Sequence, residues 1–259
     1  MYALFFDIDG TLVSFKTHQV PESTVEALTL AKEKGSKVYI STGRPTKIIT
    51  NLHAIEHLID GYITINGAYC YVGREVVCCH PIPEEEVGII LEDARRKNKA
   101  CMVVGETDII LYNYQPIVHK IFYEQLDVKN LNPHLTLEDI KGQKILQCTY
   151  FIDQEEEKSL MERLPGCVSG RWHPQFTDIT AKEADKGKGL LAMAAHEGFD
   201  IHHTMAFGDG GNDIAILKQA GIGVALGNAI PELKKVANYV TTSIDDHGIY
   251  HALKHFGII

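Results

Sequence analysis

The chain has 259 residues, of which 45 % are hydrophobic and 23 % are charged, and its formal net charge is −9 at pH 7. This length provides an ample core for one large domain or two modest ones, and the composition is that of a globular protein. The negative charge disfavours nucleic acid and anionic membranes as partners. No apolar run approaches the ~18 residues that cross a bilayer, so we expect no membrane span.

The cysteines and the N-terminal sequence indicate the cellular compartment in which the protein is expected. The chain holds 6 cysteines without a Cys-x-x-Cys motif. Because a chain of this length does not need disulfides for stability, we expect reduced thiols. The chain begins on a strand-like pattern, without a basic region or a cleavage site, so we expect no secretion signal. Both features predict a cytoplasmic protein.

Strands and helices alternate in the N-terminal part of the chain. The apolar run "YALFFDI" (2–8) predicts a strand that is buried on both faces. The elements predicted after it are a helix at 21–35, a strand at 37–42, a helix at 45–58, a strand at 61–66 and a hairpin at 69–79. This alternation predicts right-handed βαβ crossovers and a parallel sheet.

The pattern changes in the middle of the chain. The predicted elements are a helix at 84–98, strands at 100–104 and 109–113, a helix at 116–126, a strand at 144–152, a helix at 153–164 and two strands around 167–180. Paired strands that are separated by single helices predict an α+β unit with an antiparallel sheet.

The βαβ alternation returns near the C-terminus. The predicted helices are 186–197, 213–220, 231–238 and 247–255, and the predicted strands are 204–209, 223–227 and 239–242. We therefore predict an α/β fold in two domains. A core with a parallel sheet is formed by residues 1–81 and 183–259, and an α+β domain at 82–182 is inserted into it.

Two carboxylates follow the first predicted strand in the segment "FFDIDGTLV" (5–13). Because strand side chains alternate between faces, Asp7 and Asp9 point the same way at the carboxyl end of the strand, where α/β sheets bind ligands. Two carboxylates aimed at one point repel each other unless a divalent cation or a proton lies between them. The alternative is an Asp-rich turn, since Gly10 and Thr11 also favour a turn here.

Other predicted strand ends carry complementary groups. They are "STGR" (41–44), "NGA" (66–68) and "GDGGND" (208–213), and the helix that precedes the last of these strands opens with "DKGKG" (185–189). Carboxylate, amide, hydroxyl and ammonium groups therefore gather at one edge of the sheet. This set of groups is suited to hold Mg²⁺ and a phosphoryl group.

These segments resemble a known family. "DIDGTL" (7–12), "STGR" (41–44), a lysine at 186 and "GDGGND" (208–213) are similar to the four ordered motifs of the haloacid dehalogenase superfamily. The insertion, the "NGA" segment and the ending at 221–249 resemble its Cof-type branch of sugar-phosphate phosphatases, with a C2-type cap. The resemblance implies a Rossmann-like core with an inserted α+β cap domain, and Mg²⁺ as the cofactor.

The resemblance also implies roles for the matching residues. Asp7 would be the nucleophile that forms an aspartyl-phosphate, and Asp9 would be the general acid and base. The phosphate-binding residues would be Thr42, Gly43, Lys186 and Asn212, the metal ligands Asp7, Asp209 and Asp9 through its backbone carbonyl, and the supporting residue Asp213. Lys188 is the alternative to Lys186, because it is also followed by glycine.

The inserted domain is expected to close over the site and to read the leaving group. Candidate residues for this role are Arg171, Trp172 and Asp178 in "GRWHPQFTDIT" (170–180), together with Arg44 and Asn66 of the core. Trp172 either offers an aromatic face to a sugar or packs between the two domains. Both interpretations stay open at the level of the sequence.

Taken with the resemblance, these features predict a Mg²⁺-dependent phosphatase of small phosphorylated metabolites, above all sugar (hexose) phosphates. We expect a monomer or a weak oligomer, with neither nucleic acid nor membrane as a partner. A carboxylate at Asp9 distinguishes this chain from the dehalogenases and transport ATPases of the superfamily. A phosphomutase, which would need a bisphosphate activator, and a non-catalytic phospholigand-binding module are the alternatives.

Overall fold

The computed structural model of the protein describes residues 1–126, 128 and 130–259. The chain folds into two compact units. Unit 1 comprises Met1–Arg44, Ile49–Cys79 and Ala184–Ile259, and unit 2 comprises Pro45–Ile48 and His80–Glu183. Unit 1 is therefore built from segments that are distant in sequence.

Strands and helices alternate along most of the chain. The strands are β1 (Ala3–Phe6), β2 (Lys37–Ser41), β3 (Gly61–Thr64), β4 (Tyr69–Val72), β5 (Glu75–Cys79), β6 (Cys101–Val104), β7 (Ile109–Tyr112), β8 (Gln147–Tyr150), β9 (Cys167–His173), β10 (Phe176–Ala181), β11 (Thr204–Gly208), β12 (Ile222–Ala225) and β13 (Tyr239–Val240). The helices are α1 (Glu22–Glu33), α2 (Glu84–Lys97), α3 (Pro116–Val118), α4 (Gln154–Met161), α5 (Lys186–Glu197), α6 (Ile214–Gln219), α7 (Pro231–Val236) and α8 (Gly248–His255).

Unit 1 contains an eight-stranded sheet in the order β13-β12-β11-β1-β2-β3-β4-β5. The strands from β13 to β3 pair in parallel, and β4 and β5 extend the sheet as an antiparallel hairpin. This arrangement confirms the predicted α/β class. The carboxyl ends of β1, β2, β3 and β11 lie side by side at one edge, because parallel neighbours end together.

The β1 sequence explains why this strand lies in the middle of the sheet. Leu4 and Phe6 point into a core that includes residues of α1 and α8, whereas Ala3 and Phe5 point into a second core with residues of α5 and α6. All four side chains are buried. A strand with apolar residues at every position can bury side chains on both faces of the sheet, as in other parallel sheets that are covered by helices.

Unit 2 contains a five-stranded antiparallel sheet in the order β7-β6-β8-β10-β9. Residues of α2 and α4, among them Ile90 and Leu160, pack in one cluster with alternate residues of the strands, among them Val103, Cys148 and Ile179. Helices α2 and α4 cover one face of this antiparallel sheet, as in the predicted α+β arrangement.

The prediction of a helix at 45–58 is wrong. The segment forms 3-10 turns at Thr46–Ile48 and Glu56–Leu58 instead. Ile48, Leu52 and Ile55 have the spacing of one helical face, but Leu52 and Ile55 are buried in the unit 1 core, whereas Ile48 belongs to unit 2. The three consecutive β-branched residues at 48–50, which are followed by Asn51, also have a low helix propensity.

The helix predicted at 116–126 forms, but most of it is not an α-helix. After α3 the chain continues as a π-helix at His119–Gln125. Among the described residues, no helix is both long and apolar enough to span a membrane.

Candidate active site

Three carboxylates converge at the carboxyl edge of the unit 1 sheet. Asp7 follows β1, Asp209 follows β11, and Asp213 ends the 3-10 turn that comes next. The Asp7 backbone N–H donates to the Phe207 carbonyl at 3.1 Å, which continues the pairing of β1 with β11. Each of the three residues has a carboxylate oxygen within 4.8 Å of one belonging to each of the others. The predicted convergence of these side chains is therefore present in the structure.

Lys186 lies at the first position of α5 and joins two of these carboxylates. Its Nζ donates to Asp7 Oδ1 and to Asp213 Oδ1, both at 2.7 Å. Burial alone would lower the pKa of the amine, but the adjacent Asp213 and Asp7 carboxylates raise the pKa of Lys186 above its ordinary value. The two carboxylates therefore favour the ammonium form of this buried side chain. Lys188, the alternative lysine, is exposed.

Asp213 uses its second oxygen to hold the loop after β11. Oδ2 accepts the backbone N–H groups of Asp209 and Gly210, both at 3.0 Å. With Lys186 on Oδ1, both oxygens of Asp213 are engaged by the protein. This arrangement suits a residue that positions the loop and the lysine.

Asp209 is placed by Thr11 and by Gly10. The Thr11 hydroxyl donates to Asp209 Oδ1 at 2.9 Å. Burial raises the pKa of Asp209 to about 6, with a further contribution from the nearby Asp213 carboxylate. Gly10 has a φ of +82°, and a Cβ on it would lie 2.3 Å from Asp209 Oδ2. Only glycine fits between the first turn and this carboxylate.

Asp9 forms a bidentate ion pair with Arg44. Arg44 Nε donates to Asp9 Oδ2 at 2.7 Å, and Nη2 donates to Oδ1 at 2.6 Å. The Arg44 backbone N–H in turn donates to the hydroxyl of buried Thr42 at 3.1 Å. The planar guanidinium of Arg44 binds both oxygens of Asp9, and so the "STGR" segment fixes the orientation of this carboxylate.

Asn66 and Asn212 meet at the same edge. Asn212 Nδ2 donates to Asn66 Oδ1 at 3.0 Å, and a Cβ on Gly43 would lie 3.2 Å from that same oxygen. Ile65 and Asn66 both have positive φ values, of 53° and 51°. A β-branched residue with positive φ is strained, so the surrounding structure must hold the backbone in this conformation.

The charge of the cluster and the nature of its donors suit a divalent cation. Within the described residues, four carboxylates and two cations form the cluster, namely Asp7, Asp9, Asp209 and Asp213 with Lys186 and Arg44. The cluster therefore holds two more acidic groups than cationic groups. The donor atoms are carboxylate oxygens, which Mg²⁺ prefers.

Asn228 supports the site and was not singled out by the sequence patterns. Its Nδ2 donates to the Gly10 carbonyl at 2.8 Å, and its Oδ1 accepts the Ile244 backbone N–H at 3.0 Å. It thereby ties the turn after β1 to the C-terminal segment. Asn228 follows β12, so the search for polar groups after strand ends would have found it.

The candidate residues of unit 2 lie on β9 and β10. Trp172 is 60 % exposed, and its indole N–H donates to Asp178 Oδ2 at 2.7 Å. Asp178 Oδ1 accepts from the Thr149 hydroxyl at 2.5 Å and from Gln147 Nε2 at 2.9 Å. Burial raises the pKa of Asp178. This network fixes the indole on the sheet of unit 2.

The Arg171 guanidinium is bonded to other residues of unit 2. Its three guanidinium nitrogens donate to Glu157 Oε2 at 2.6 Å, to the Pro174 carbonyl at 3.0 Å and to the Ile152 carbonyl at 2.9 Å. These bonds tie β9 to the start of α4. Its main visible task is therefore to hold unit 2 together.

Comparisons with known proteins agree with this geometry. The family model of haloacid dehalogenase-like hydrolases matches residues 4–253. The solved structure of the HAD subclass IIB sugar phosphatase BT4131 shares 49 % identity with this chain, with a TM-score of 0.90 and full coverage of both chains. That of BT1666, a HAD phosphatase from Bacteroides thetaiotaomicron, shares 35 % identity over 100 % of this chain and 96 % of its own, with a TM-score of 0.87.

A curated relative extends the similarity. YkrA of Bacillus subtilis (strain 168), a candidate phosphatase by its name, is 30 % identical over 99 % of this chain and 98 % of its own length. The resemblance drawn from the four motifs is thereby confirmed, as is the prediction of a hydrolase. The chain belongs to the haloacid dehalogenase-like hydrolases, in the Cof-type branch of that superfamily.

Proposed function

We propose that this hydrolase is a Mg²⁺-dependent phosphatase that acts on small phosphorylated metabolites, and on sugar phosphates in particular. The observation that carries the proposal is the buried Lys186 ammonium, 2.7 Å from both Asp7 and Asp213 and beside Asp209. A phosphate monoester dianion would otherwise repel a carboxylate nucleophile, so catalysis needs such cations next to it.

Asp7 is the proposed nucleophile. Lys186 holds Asp7 Oδ1, which orients the carboxylate for attack on phosphorus through its other oxygen. The P–O bond to the leaving group breaks as the bond to Asp7 forms, and water then hydrolyses the aspartyl-phosphate. Asp9 in its carboxylic acid form would donate its proton to the leaving alkoxide, and the carboxylate so formed would take a proton from the attacking water, which restores the acid; Arg44 orients the group.

The other groups at the strand ends bind the phosphoryl oxygens and the cation. Thr42, Lys186, Asn212 and the backbone at Gly43 are the proposed phosphate ligands. Asp7, Asp209 and the backbone carbonyl of Asp9 would hold Mg²⁺, with Asp213 positioning the loop. A cation bound there would neutralise the negative charge of the phosphoryl oxygens and stabilise the charge that develops in the transition state.

A sugar phosphate as substrate is supported by the relatives. BT4131 is named a sugar phosphatase and shares 49 % identity with this chain. Trp172 and Asp178, together with Asn66, stay candidate sugar-binding residues, because an aromatic face beside polar groups suits a carbohydrate. The six cysteines are free thiols, which supports a cytoplasmic location. We expect a monomer or a weak oligomer.

A phosphate-release screen tests the proposal. The purified protein is incubated with several dozen phosphorylated metabolites, with Mg²⁺ or with a chelator, and inorganic phosphate is measured. We expect Mg²⁺-dependent release that is abolished in Asp7→Asn, while circular dichroism of that variant is unchanged. Release that persists in Asp7→Asn would contradict the assignment of the nucleophile. Phosphate transfer that requires a bisphosphate activator would indicate a phosphomutase, and binding without release would indicate a binding module.

A further inference from the structure

Phe15 is an exposed aromatic residue beside the carboxylate cluster. Its side chain is 64 % exposed. The position that a Cβ on Gly10 would take lies 2.7 Å from Phe15 Cε2 and 2.3 Å from Asp209 Oδ2. The edge of the phenyl ring and the proposed metal ligand are therefore neighbours on the same side of Gly10. Neither the motifs nor the proposed reaction uses this ring.

The turn that carries Phe15 is anchored on both sides of the ring. The hydroxyl of buried Ser14 donates to Asp245 Oδ1 at 2.6 Å, and Lys16 Nζ pairs with Asp245 Oδ2 at 2.7 Å. Two backbone bonds close the turn: His18 N–H donates to the Ser14 carbonyl at 2.8 Å, and Ser14 N–H donates to the Gln19 carbonyl at 3.1 Å. The phenyl ring is thus held at the surface by its neighbours.

An apolar ring that the turn holds in water would lose this unfavourable exposure if a bound ligand covered it. The polar group that lies next to the Phe15 ring is the Asp209 carboxylate, which can accept hydrogen bonds and bind cations but offers no apolar contact. Asp209 clusters with Asp7, so the leaving group of a ligand whose phosphoryl group binds at Asp7 would lie within reach of this ring. A pyranose or furanose presents a face of C–H groups that can stack on an aromatic ring, whereas an open-chain polyol has no lasting flat face.

We propose that Phe15 is a specificity residue that stacks on the ring of a cyclic sugar phosphate and thereby selects cyclic over open-chain leaving groups. The inference rests on the proposed phosphatase function. It extends it by naming cyclic sugars as the preferred substrate class.

The test compares glucose 6-phosphate with sorbitol 6-phosphate, its open-chain counterpart with the same number of carbon atoms. In Phe15→Ala we expect kcat/KM for glucose 6-phosphate to fall about 3- to 10-fold, mainly through KM, as for the loss of one aromatic contact. For sorbitol 6-phosphate we expect a change below about twofold, and Phe15→Trp should restore selectivity. Val76→Ala removes another exposed apolar side chain, on β5, and should change neither.

A binding measurement separates this inference from the proposed function. In Asp7→Asn and in Asp7→Asn with Phe15→Ala, the affinity for each sugar phosphate is measured by calorimetry, without turnover. A selective loss of glucose 6-phosphate affinity would support the role of Phe15 even if the wild type released no phosphate. Equal losses for both compounds, or no loss, would overturn it. Phe15→Leu, which keeps an apolar side chain but no flat ring, should behave like Phe15→Ala; wild-type selectivity in it would also overturn the proposal.

Discussion

Lys186 Nζ lies 2.7 Å from Asp7 Oδ1 and 2.7 Å from Asp213 Oδ1, so that one buried ammonium joins the turn after β1 to the loop after β11. The two carboxylates come from opposite ends of the chain. A single side chain at the start of α5 therefore holds together the two loops that carry the proposed chemistry.

This relationship predicts the effect of removing the ammonium. Lys186→Met leaves Asp7 and Asp213 buried beside each other without a cation, which we expect to lower the free energy of unfolding by about 3–5 kcal/mol and to abolish phosphate release. Chemical denaturation and the phosphate assay measure both effects. Lys188→Met is the matched control, because Lys188 is exposed, and its stability should change by less than about 0.5 kcal/mol. Loss of activity in Lys188→Met alone would reverse the assignment.

Asp209 predicts how the protein responds to Mg²⁺. We expect Mg²⁺ to raise the melting temperature of the wild type, because a cation that binds only the folded state stabilises it. In Asp209→Asn the carboxylate is replaced by an amide, which can still accept from Thr11 but lacks the charge that binds the cation. Differential scanning fluorimetry over a Mg²⁺ titration should show little or no shift for this variant. A wild-type-like shift would show that the cation binds elsewhere.

Gly10 tests how closely the first turn packs against Asp209. In Gly10→Ala the new methyl group would overlap Asp209 and Phe15 at a φ of +82°. We expect a loss of about 2–4 kcal/mol of stability together with a loss of Mg²⁺ binding. Gly73→Ala is the control, since Gly73 also has a positive φ, of +57°, but nothing lies within 4 Å of its Cβ position. Its cost should be about 1 kcal/mol, with normal activity.

An ion pair between β2 and α5 predicts a pH dependence of stability. Glu197 accepts from Lys37 and from the Tyr39 hydroxyl, the latter at 3.0 Å, and mainly because of Lys37 the pKa of Glu197 lies below its ordinary value. Since the folded state lowers this pKa, the pair stabilises the protein above the unfolded pKa of about 4.3. This contribution disappears as the pH falls through the folded value.

Glu197→Gln should therefore lower the free energy of unfolding near neutral pH by about 1 kcal/mol, a modest figure because Lys37 is partly exposed to solvent. The difference from the wild type should vanish in acid. Urea denaturation over a pH series measures it, with Glu33→Gln on α1 as an exposed control. A difference that stays constant with pH would show that the effect is not electrostatic.

Much of the fold follows from local patterns. The apolar run of β1, the periodic apolar residues of the helices and the motifs at the strand ends can all be recognised in the sequence without knowledge of the tertiary contacts. They predicted the parallel sheet, the antiparallel sheet of the insertion and the convergence of Asp7 with Asp209. The segment at 45–58 shows where this logic fails: its apolar spacing is helical, yet its buried residues belong to two different units.

Details of the site depend on partners that are distant in sequence. The pairing of Arg44 with Asp9, the packing of Gly10 against Asp209 and the anchoring of Phe15 through Asp245 join residues that no local pattern relates.

The sequence alone determined which chemical groups stand at the strand ends, since strand periodicity places them there whatever surrounds them. Only the tertiary structure showed that Lys186, which the resemblance had favoured, is buried between carboxylates and that the Phe15 ring is exposed. Burial and charge compensation are properties of neighbours in space, and neighbours exist only once the chain has folded.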